Sequence, residues 1–159
     1  MFISILHSPI GELAIEAGEH EVHAIIFPTE LPLENPNKLS ELAKEQLSEY
    51  FNQKRKYFDF PMAQAGTLFQ QKVWNELRKI EAGKPISYAT LARIIKNSLA
   101  IRAIASANGR NRLLIAVPCH RVIGSNGDLV GFSAGLWRKK WLLEHEAKMS
   151  SIGQISLTF

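Results

Sequence analysis

Cys119, the only cysteine of the chain, lies in the sequence IAVPCHRV at residues 115–122. A thiol reacts as its thiolate, and basic or cationic neighbours raise the thiolate fraction. His120 and Arg121 follow the cysteine directly, and a histidine titrates near neutral pH, so it can act as a base. The β-branched run before Pro118 predicts a strand, which the proline ends while it stiffens the backbone that carries the thiol. These residues predict a nucleophilic cysteine beside a base.

Three interpretations of Cys119 stay open from these residues alone. A lone cysteine in an apolar strand is often a small core hydrophobe without a chemical role. Cys119 and His120 together are also compatible with a cysteine hydrolase. Neighbours on an extended strand point to opposite faces, which favours a bridging water over direct contact between the two side chains. A DNA-binding module without chemistry is the third interpretation, and it predicts that Cys119 is dispensable.

Composition limits the class of protein. The 159 residues are 46% hydrophobic with a net charge of +4, which suits one compact unit or two small domains and an anionic partner such as nucleic acid. One cysteine excludes an internal disulfide, and a free thiol fits a reducing compartment. The N-terminus has no signal-peptide pattern, and no apolar run approaches the roughly 18 residues of a membrane span. We expect a cytoplasmic protein. His7, His20 and His23 fit no common metal-ligand spacing, so we expect no metal site.

The elements that must position Cys119 divide into two predicted domains. Residues 1–61 are predicted to form a small α/β domain. Strands at 2–6, 12–17 and 22–27 make an antiparallel meander, and an apolar stripe predicts a helix over 39–51. Residues 62–66 are predicted to be a linker.

Residues 67–148 are predicted to form a mostly helical domain that resembles a winged-helix or helix-turn-helix fold. A capping box at Thr67 and Gln70 starts a helix. Helices at 88–96 and 99–109, with a turn at Asn97 and Ser98, make a helix-turn-helix candidate. Small residues on the second helix, Ala103 and Ser106 among them, let its backbone approach DNA closely, although small residues also pack helices together.

The C-terminal part of this domain is predicted to add a wing and a last helix. Residues 124–127 contain Asn-Gly and predict a hairpin whose return strand holds Leu129 and Val130. Leu136, Trp137, Trp141 and Leu143 are predicted to form the apolar face of the last helix. The tail at 149–159 is predicted to be weakly structured, and residues 155–159 are able to dock as a strand.

An ordered set of motifs over residues 66–147 resembles the O6-alkylguanine-DNA alkyltransferases, also called methylated-DNA–protein-cysteine methyltransferases. These motifs are Gly66-Thr67 with Phe69-Gln70-Gln71-Lys72-Val73-Trp74, Ser87-Tyr88, Arg102-Ala103, Asn111, Pro118-Cys119-His120-Arg121-Val122, and Trp141-Leu142-Leu143 with His145-Glu146. The resemblance implies irreversible transfer of an alkyl group from O6 of guanine in double-stranded DNA to the protein's own cysteine, once per molecule, without a cofactor. It leaves O4-alkylthymine open as a second substrate.

The resemblance also assigns catalytic roles. Cys119 would accept the alkyl group, His120 would deprotonate it through a water, and Glu146 would orient His120, which is the logic of a triad. Because the damaged base cannot react inside the duplex, it must be flipped out. Arg102 would fill the vacated space, and Tyr88 would help to turn the nucleotide out.

The remaining residues carried over by the resemblance support the substrate. Asn111 would brace the second helix against the cysteine segment. Val122 and Ser133 would offer backbone groups to the guanine. Pro118 and Phe132 belong to the pocket, and Ala103 and Ser106 to the DNA surface. The resemblance implies a monomer that acts on the nucleoid of a prokaryote, without a membrane.

Three departures from the family pattern bear on substrate range and rate. Arg112 follows Asn111 where the family usually has proline. Ala105 and Ser106 stand where a glycine is common. Phe132 replaces a tyrosine of some members and so lacks a hydroxyl donor.

Overall fold

The structure is a computed structural model that describes residues 1–97 and 100–150. The chain forms two compact units. Within the described residues, the first comprises residues 1–65 with 112–116, and the second comprises residues 66–97, 100–111 and 117–150. No helix within the described residues has both the length and the apolar character that crossing a bilayer requires.

The first unit is a three-stranded antiparallel sheet with one helix. Strands β1 (Phe2–Ser8), β2 (Gly11–Ala17) and β3 (Val22–Ile26) follow one another in a meander. Helix α1 (Lys38–Phe51) packs on them and begins at a capping box. The predicted meander and helix are confirmed. Alternating strand residues meet the helix stripe in a core that includes Leu13, Ile15, Ile25, Leu47 and Tyr50.

Residues 112–116 belong to this first unit, although the predicted domain boundaries place them in the C-terminal domain. The reason is backbone pairing. The Ile25 N–H donates to the Arg112 carbonyl at 2.8 Å, and the Leu114 N–H donates to the Ile25 carbonyl at 3.1 Å. The segment therefore pairs with β3. It then turns at Ile115, whose φ of 72° lies in the left-handed region that β-branched residues rarely adopt.

The second unit contains four helices and two short strands within the described residues. These are α2 (Leu68–Leu77), β4 (Ile86–Ser87), α3 (Tyr88–Ile95), α4 (Ile101–Gly109), β5 (Val122–Ile123) and α5 (Leu136–Ser150). The predicted small sheet with a helix followed by a mostly helical domain is confirmed. Of the predicted turn between the two helices, Ser98 lies outside the described residues, as does Leu99.

Helix α2 supports helix α4 directly. The predicted capping box is present, because the Thr67 hydroxyl accepts from the Gln70 N–H at 3.1 Å. The indole N–H of Trp74 donates to the Ala107 carbonyl of α4 at 2.8 Å. A side chain at Gly66 would come within 2.5 Å of the Trp74 ring, so this close approach requires glycine.

The predicted two-stranded wing does not form. β5 pairs in parallel with β4, with Ile86 opposite Val122. The Gly124 N–H donates to the Asp128 carbonyl at 2.8 Å and closes a turn, but Leu129 and Val130 form no strand. The carbonyls of Val122 and Val130 instead accept from the buried Lys139 ammonium, which replaces a strand ladder as their partner.

Helix α5 buries Leu143 of the predicted apolar face, but not Leu136 or Trp137. Leu136 and Trp137 are 49% and 58% exposed. The buried face instead carries polar residues alongside apolar ones: Lys139, Leu142, Leu143, His145 and Glu146. Met149 and Ser150, placed in the predicted tail, are still helical, and residues 151–159, including the possible docked strand, lie outside the described part of the chain.

Candidate active site

Cys119 lies in a single turn of 3-10 helix, Cys119–Arg121, and not at the end of a strand as predicted. The Arg121 N–H donates to the Pro118 carbonyl at 3.0 Å, and the Cys119 N–H donates to the Val117 carbonyl at 2.8 Å. Pro118, which has no N–H to offer a ladder, begins the turn. The predicted strand fails because the chain already bends at Ile115. All three residues of the turn are buried.

Glu146 on α5 holds the two basic residues of this turn. Nε2 of His120 lies 2.8 Å from Oε2 of Glu146. Arg121 donates through Nε to Oε1 at 2.8 Å and through Nη2 to Oε2 at 2.9 Å. Its Nη1 donates to the Ile80 carbonyl at 2.6 Å. The carboxylate therefore has a partner on both oxygens, and the predicted pair of His120 and Glu146 is brought together.

The charges of this cluster determine which ring nitrogen of His120 carries the hydrogen. Burial alone would raise the pKa of Glu146, but the charges and hydrogen bonds of His120 and Arg121 outweigh it and hold that pKa below its ordinary value. Burial lowers the pKa of His120, although Glu146 opposes this shift. A carboxylate only accepts, so Nε2 donates, and in the neutral ring Nδ1 is left as an acceptor. Nδ1 is buried and has no hydrogen-bond partner among the described residues.

The Cys119 thiol is protonated at neutral pH. Burial raises its pKa to about 11, while a hydrogen bond from Asn111 and the charge of Lys139 act in the opposite direction. Asn111 also donates to the Val117 carbonyl at 2.7 Å, which fixes the cysteine segment to the end of α4 as predicted. The thiol therefore needs a base before it can act as a nucleophile.

Lys139 is a site residue that the sequence reasoning missed. It is fully buried, and its ammonium donates to the carbonyls of Val122, Val130 and Gly131 at 2.6, 2.7 and 3.3 Å. Burial lowers its pKa to about 8, and the Cys119 thiolate would oppose that shift. Helical spacing places Lys139 and Glu146 on one face of α5, and this periodicity is the signal that could have found it.

A cavity of about 600 Å³ opens beside the cysteine. Residues 124–131, which we call the cavity loop, form one wall, and α3, α4 and the turn before α5 form the others. Predicted site residues in the lining are Tyr88, Cys119, Phe132 and Ser133, and unpredicted ones include Ile101, Ala105, Asn108, Gly124, Val130 and Gly131. Val122, also a predicted site residue, is fully buried and does not belong to the lining. The cavity is mostly apolar and has the size of a small-molecule or base site.

Helix α4 has one buried face and one exposed face. Ile104, Ala107 and Asn108 are buried, whereas Arg102, Ala103, Ala105, Ser106 and Arg110 are exposed. Three of the predicted DNA residues thus share a surface of small side chains, with an arginine toward each end of the helix. Such a surface lets a backbone approach a phosphate-bearing partner closely.

The scattered histidines form no cluster. His7 pairs with Glu12 at 2.7 Å, and Nδ1 of His23 lies 3.0 Å from the Ala63 carbonyl. Across residues 1–97 and 100–150, no group of three or more His, Cys, Asp or Glu side chains is placed to hold a metal ion.

Two family models match the chain. The one described as "6-O-methylguanine DNA methyltransferase, DNA binding domain" matches residues 68–148. The one described as "6-O-methylguanine DNA methyltransferase, ribonuclease-like domain" matches residues 1–64.

Relatives and solved structures agree with these models. A methylated-DNA–protein-cysteine methyltransferase of Methanosarcina acetivorans is 40% identical over 154 residues, covering 92% of this chain and 98% of the relative. An inducible one of Bacillus subtilis is 41% identical over 151 residues, covering 95% and 80%. The O6-methylguanine methyltransferase of Mycobacterium tuberculosis has a TM-score of 0.85 at 34% identity and 95% coverage of both chains. The same bacterium's OGT in complex with DNA has a TM-score of 0.85 at 36% identity, with 94% of both chains covered. The chain therefore belongs to the 6-O-methylguanine DNA methyltransferase family.

Proposed function

We propose that this protein repairs DNA by transferring an alkyl group from O6-alkylguanine to Cys119, once and irreversibly. One observation carries the proposal. A buried cysteine lines a base-sized cavity beside His120, whose Nε2 is held by Glu146 and whose Nδ1 is an acceptor without a partner among the described residues. Family membership supports the same reaction.

The reaction begins with loss of the Cys119 proton. A water accepts it and passes a proton to Nδ1 of His120, because successive side chains of the 3-10 turn point about 120° apart. Glu146 stabilises the imidazolium that forms, as the carboxylate of a triad does. The charge of Lys139 stabilises the thiolate.

The thiolate then attacks the alkyl carbon that is bonded to O6. The sulfur–carbon bond forms as the carbon–oxygen bond breaks, and the electron pair leaves with the guanine. The proton held by His120 returns to the guanine, so that the base departs neutral and unmodified. The product is a thioether, which has no easy leaving path, so each molecule reacts once.

The exposed face of α4 is the proposed DNA surface. In this proposal Ala103 and Ser106 lie against the backbone of the duplex, and Arg102 enters the stack where the base was. Tyr88 lies at the cavity, where it would meet the extruded nucleotide. The relative solved in complex with DNA and the net positive charge support this surface.

The proposed setting is the cytoplasm of a prokaryote, where the protein acts as a monomer on the nucleoid. A free thiol as nucleophile fits a reducing compartment. A single chain supplies the nucleophile, the cavity and the basic helix face of the proposed site, which fits a protein that acts as a monomer.

Stoichiometry tests the proposal. Duplex DNA that carries O6-methylguanine is incubated in excess with the protein, and restored guanine is counted over time. We expect a plateau at one guanine per protein molecule, and none with Cys119→Ala. Continued product formation over many equivalents would instead indicate a turning-over hydrolase, and the proposal would be abandoned.

A further inference from the structure

Asn108 lies between two groups of the cavity and is absent from the roles assigned above. It is 4% exposed on the inner face of α4 and lines the cavity. Its Nδ2 lies 3.1 Å from the Tyr88 hydroxyl and 3.2 Å from the Cys119 carbonyl. Its Oδ1 is buried and has no hydrogen-bond partner within the described residues.

The directions of these hydrogen bonds follow from the chemistry of the partners. The Cys119 carbonyl only accepts, so the amide nitrogen of Asn108 must face it. The second hydrogen of the same nitrogen then points to Tyr88, and an amide nitrogen cannot accept, so the Tyr88 oxygen accepts. Tyr88 has one hydroxyl hydrogen, and the bond to Asn108 leaves it available to another acceptor.

The remaining direction for that hydrogen is the cavity. Tyr88 is half-buried and lines the cavity together with Cys119. The Asn108 side-chain oxygen, which is the acceptor of the amide, makes no hydrogen bond with Tyr88. Without the amide, the hydroxyl would be free to rotate and to present its lone pairs to a ligand instead.

We propose that Asn108 is a positioning residue that makes Tyr88 a hydrogen-bond donor to a ring nitrogen of the alkylated base. The inference rests on the proposed function and adds to it the residue that fixes the direction of the Tyr88 hydroxyl. The Tyr88 hydroxyl then binds a purine whose ring nitrogen is an acceptor. A purine with an N–H at the same position would set one donor against another and would be rejected.

A double-mutant cycle with a free base tests the inference, because O6-benzylguanine in solution needs no flipping. The rate constant of Cys119 alkylation is measured for the wild type, Asn108→Ala, Tyr88→Phe and the double variant. We expect each single substitution to slow the reaction by about tenfold, because each removes one hydrogen bond to the base or the group that directs it. The double variant should react within about twofold of Tyr88→Phe. Asn75→Ala, an exposed asparagine of α2, is the matched control and should react like the wild type.

A cost of Asn108→Ala that is the same with and without the Tyr88 hydroxyl would overturn the inference. Alkylation of wild-type protein by duplex O6-methylguanine tests the proposed function separately, so the two failures are distinguishable. Asn108→Asp is a second variant of nearly the same shape, in which an ionised carboxylate accepts from Tyr88. It should react at least as slowly as Asn108→Ala, and a wild-type rate would also overturn the inference.

Base analogues test the donor assignment itself. Three O6-benzylguanine analogues, each lacking one ring acceptor nitrogen, are compared with the parent. We expect one analogue to react with the wild type about tenfold more slowly than the parent compound does. That analogue should react equally fast with the wild type and with Tyr88→Phe. If none of them loses reactivity through Tyr88, the hydroxyl does not donate to a ring nitrogen.

Discussion

Burial keeps both reactive side chains uncharged at neutral pH. It raises the pKa of Cys119 to about 11 and lowers that of His120 below 6.5. A buried thiol and a neutral imidazole can exchange a proton when substrate arrives, whereas a permanently ionised thiolate would react with any electrophile that reached it. The resting site is therefore protected until the base is in place.

The first prediction concerns pH. Because protonated His120 cannot accept a proton, the rate constant for O6-benzylguanine should fall in acid with an inflection below 6.5 and be flat toward neutral pH. The substitution His120→Gln removes the general base and should lower the rate constant about 100-fold or more near neutral pH. An inflection above 6.5, or a variant as fast as the wild type, would contradict the assignment of His120 as base.

At the scale of elements, α5 provides the charges that the cysteine turn needs. Its buried face places Glu146 against His120 and Arg121, and about two turns earlier it places Lys139 under the cavity loop. Burying a lysine and a glutamate is costly unless both are fully hydrogen-bonded, which is the case here. The helix thus couples the shape of the cavity to the electrostatics of the thiol.

The second prediction concerns Lys139. Lys139→Met removes the positive charge near the thiolate and the donor to three carbonyls of the cavity loop and β5. Each unit by which the Cys119 pKa then rises costs about tenfold in thiolate, so alkylation should slow by at least about tenfold. Lys139→Arg should not restore the rate, because a planar guanidinium does not fit a site shaped for a compact ammonium. The adjacent, exposed Lys140→Met is the control, and an equal effect of both changes would refute the assignment.

The third prediction concerns the stability that Glu146 supplies. Glu146→Gln leaves Arg121 buried without a countercharge and should lower the free energy of unfolding by about 3–5 kcal/mol at pH 7. The exposed pair of Glu81 and Lys84 is the control, and Glu81→Gln should cost under about 1 kcal/mol. Unfolding in denaturant measures the free-energy change of both variants.

The sign of the pH effect on this stability follows from linkage. The folded pKa of Glu146 is depressed below its ordinary 4.5, so its contribution is full above 4.5 and is lost as the pH falls through the folded value. The gap in stability between the wild type and Glu146→Gln should therefore narrow in acid. A gap that widens as the pH falls below 4.5 would contradict the ionised state of Glu146.

Periodic elements were predictable from the sequence, and aperiodic ones were not. The meander and α1 follow from alternation and from a helical stripe, and α2 follows from its capping box. The parallel pair β4–β5 has two residues per strand, too few for a period. The turn at Cys119 depends on the left-handed backbone of Ile115, which a β-branched residue does not indicate.

Much of the candidate site was likewise predictable, because residue types that carry chemistry stand in a recognisable order. The side chains of His120 and Glu146 meet as the resemblance implies, and Asn111 braces the cysteine segment. Lys139 and Asn108 were not predicted, since their role depends on buried carbonyls of other segments that no sequence pattern displays.

At the scale of the whole molecule, the proposed function makes reactivity and DNA binding separable properties of the second unit. The cavity with Cys119 is lined by the side of α4 that carries Ile101, Ala105 and Asn108. The exposed residues Arg102, Ala103 and Ser106 lie outside this lining. In this proposal a free base reaches the thiol without the exposed face of α4, whereas a base in a duplex needs both the cavity and that face.

The fourth prediction uses this separation to test Arg102. Extruding a base costs a few kcal/mol, and a side chain that fills the gap offsets part of that cost. Arg102→Ala should slow repair of O6-methylguanine in duplex DNA by at least about tenfold, yet leave the reaction with free O6-benzylguanine unchanged. Arg102→Lys should rescue only in part, because an ammonium cannot stack as a guanidinium does. Arg78→Ala, an exposed arginine at the end of α2, is the control.

Equal losses on the duplex and on the free base would show that Arg102 supports the fold or the thiol. The flipping role would then be abandoned, while the chemistry at Cys119 would stand.

The most direct test of the account is the intact mass of the protein after incubation with duplex DNA that contains O6-methylguanine. We predict the addition of one methyl group per chain, mapped by peptide analysis to Cys119, and no addition to Cys119→Ala under the same conditions. An unchanged mass while the DNA is repaired, or a methyl group on any other residue, would contradict it.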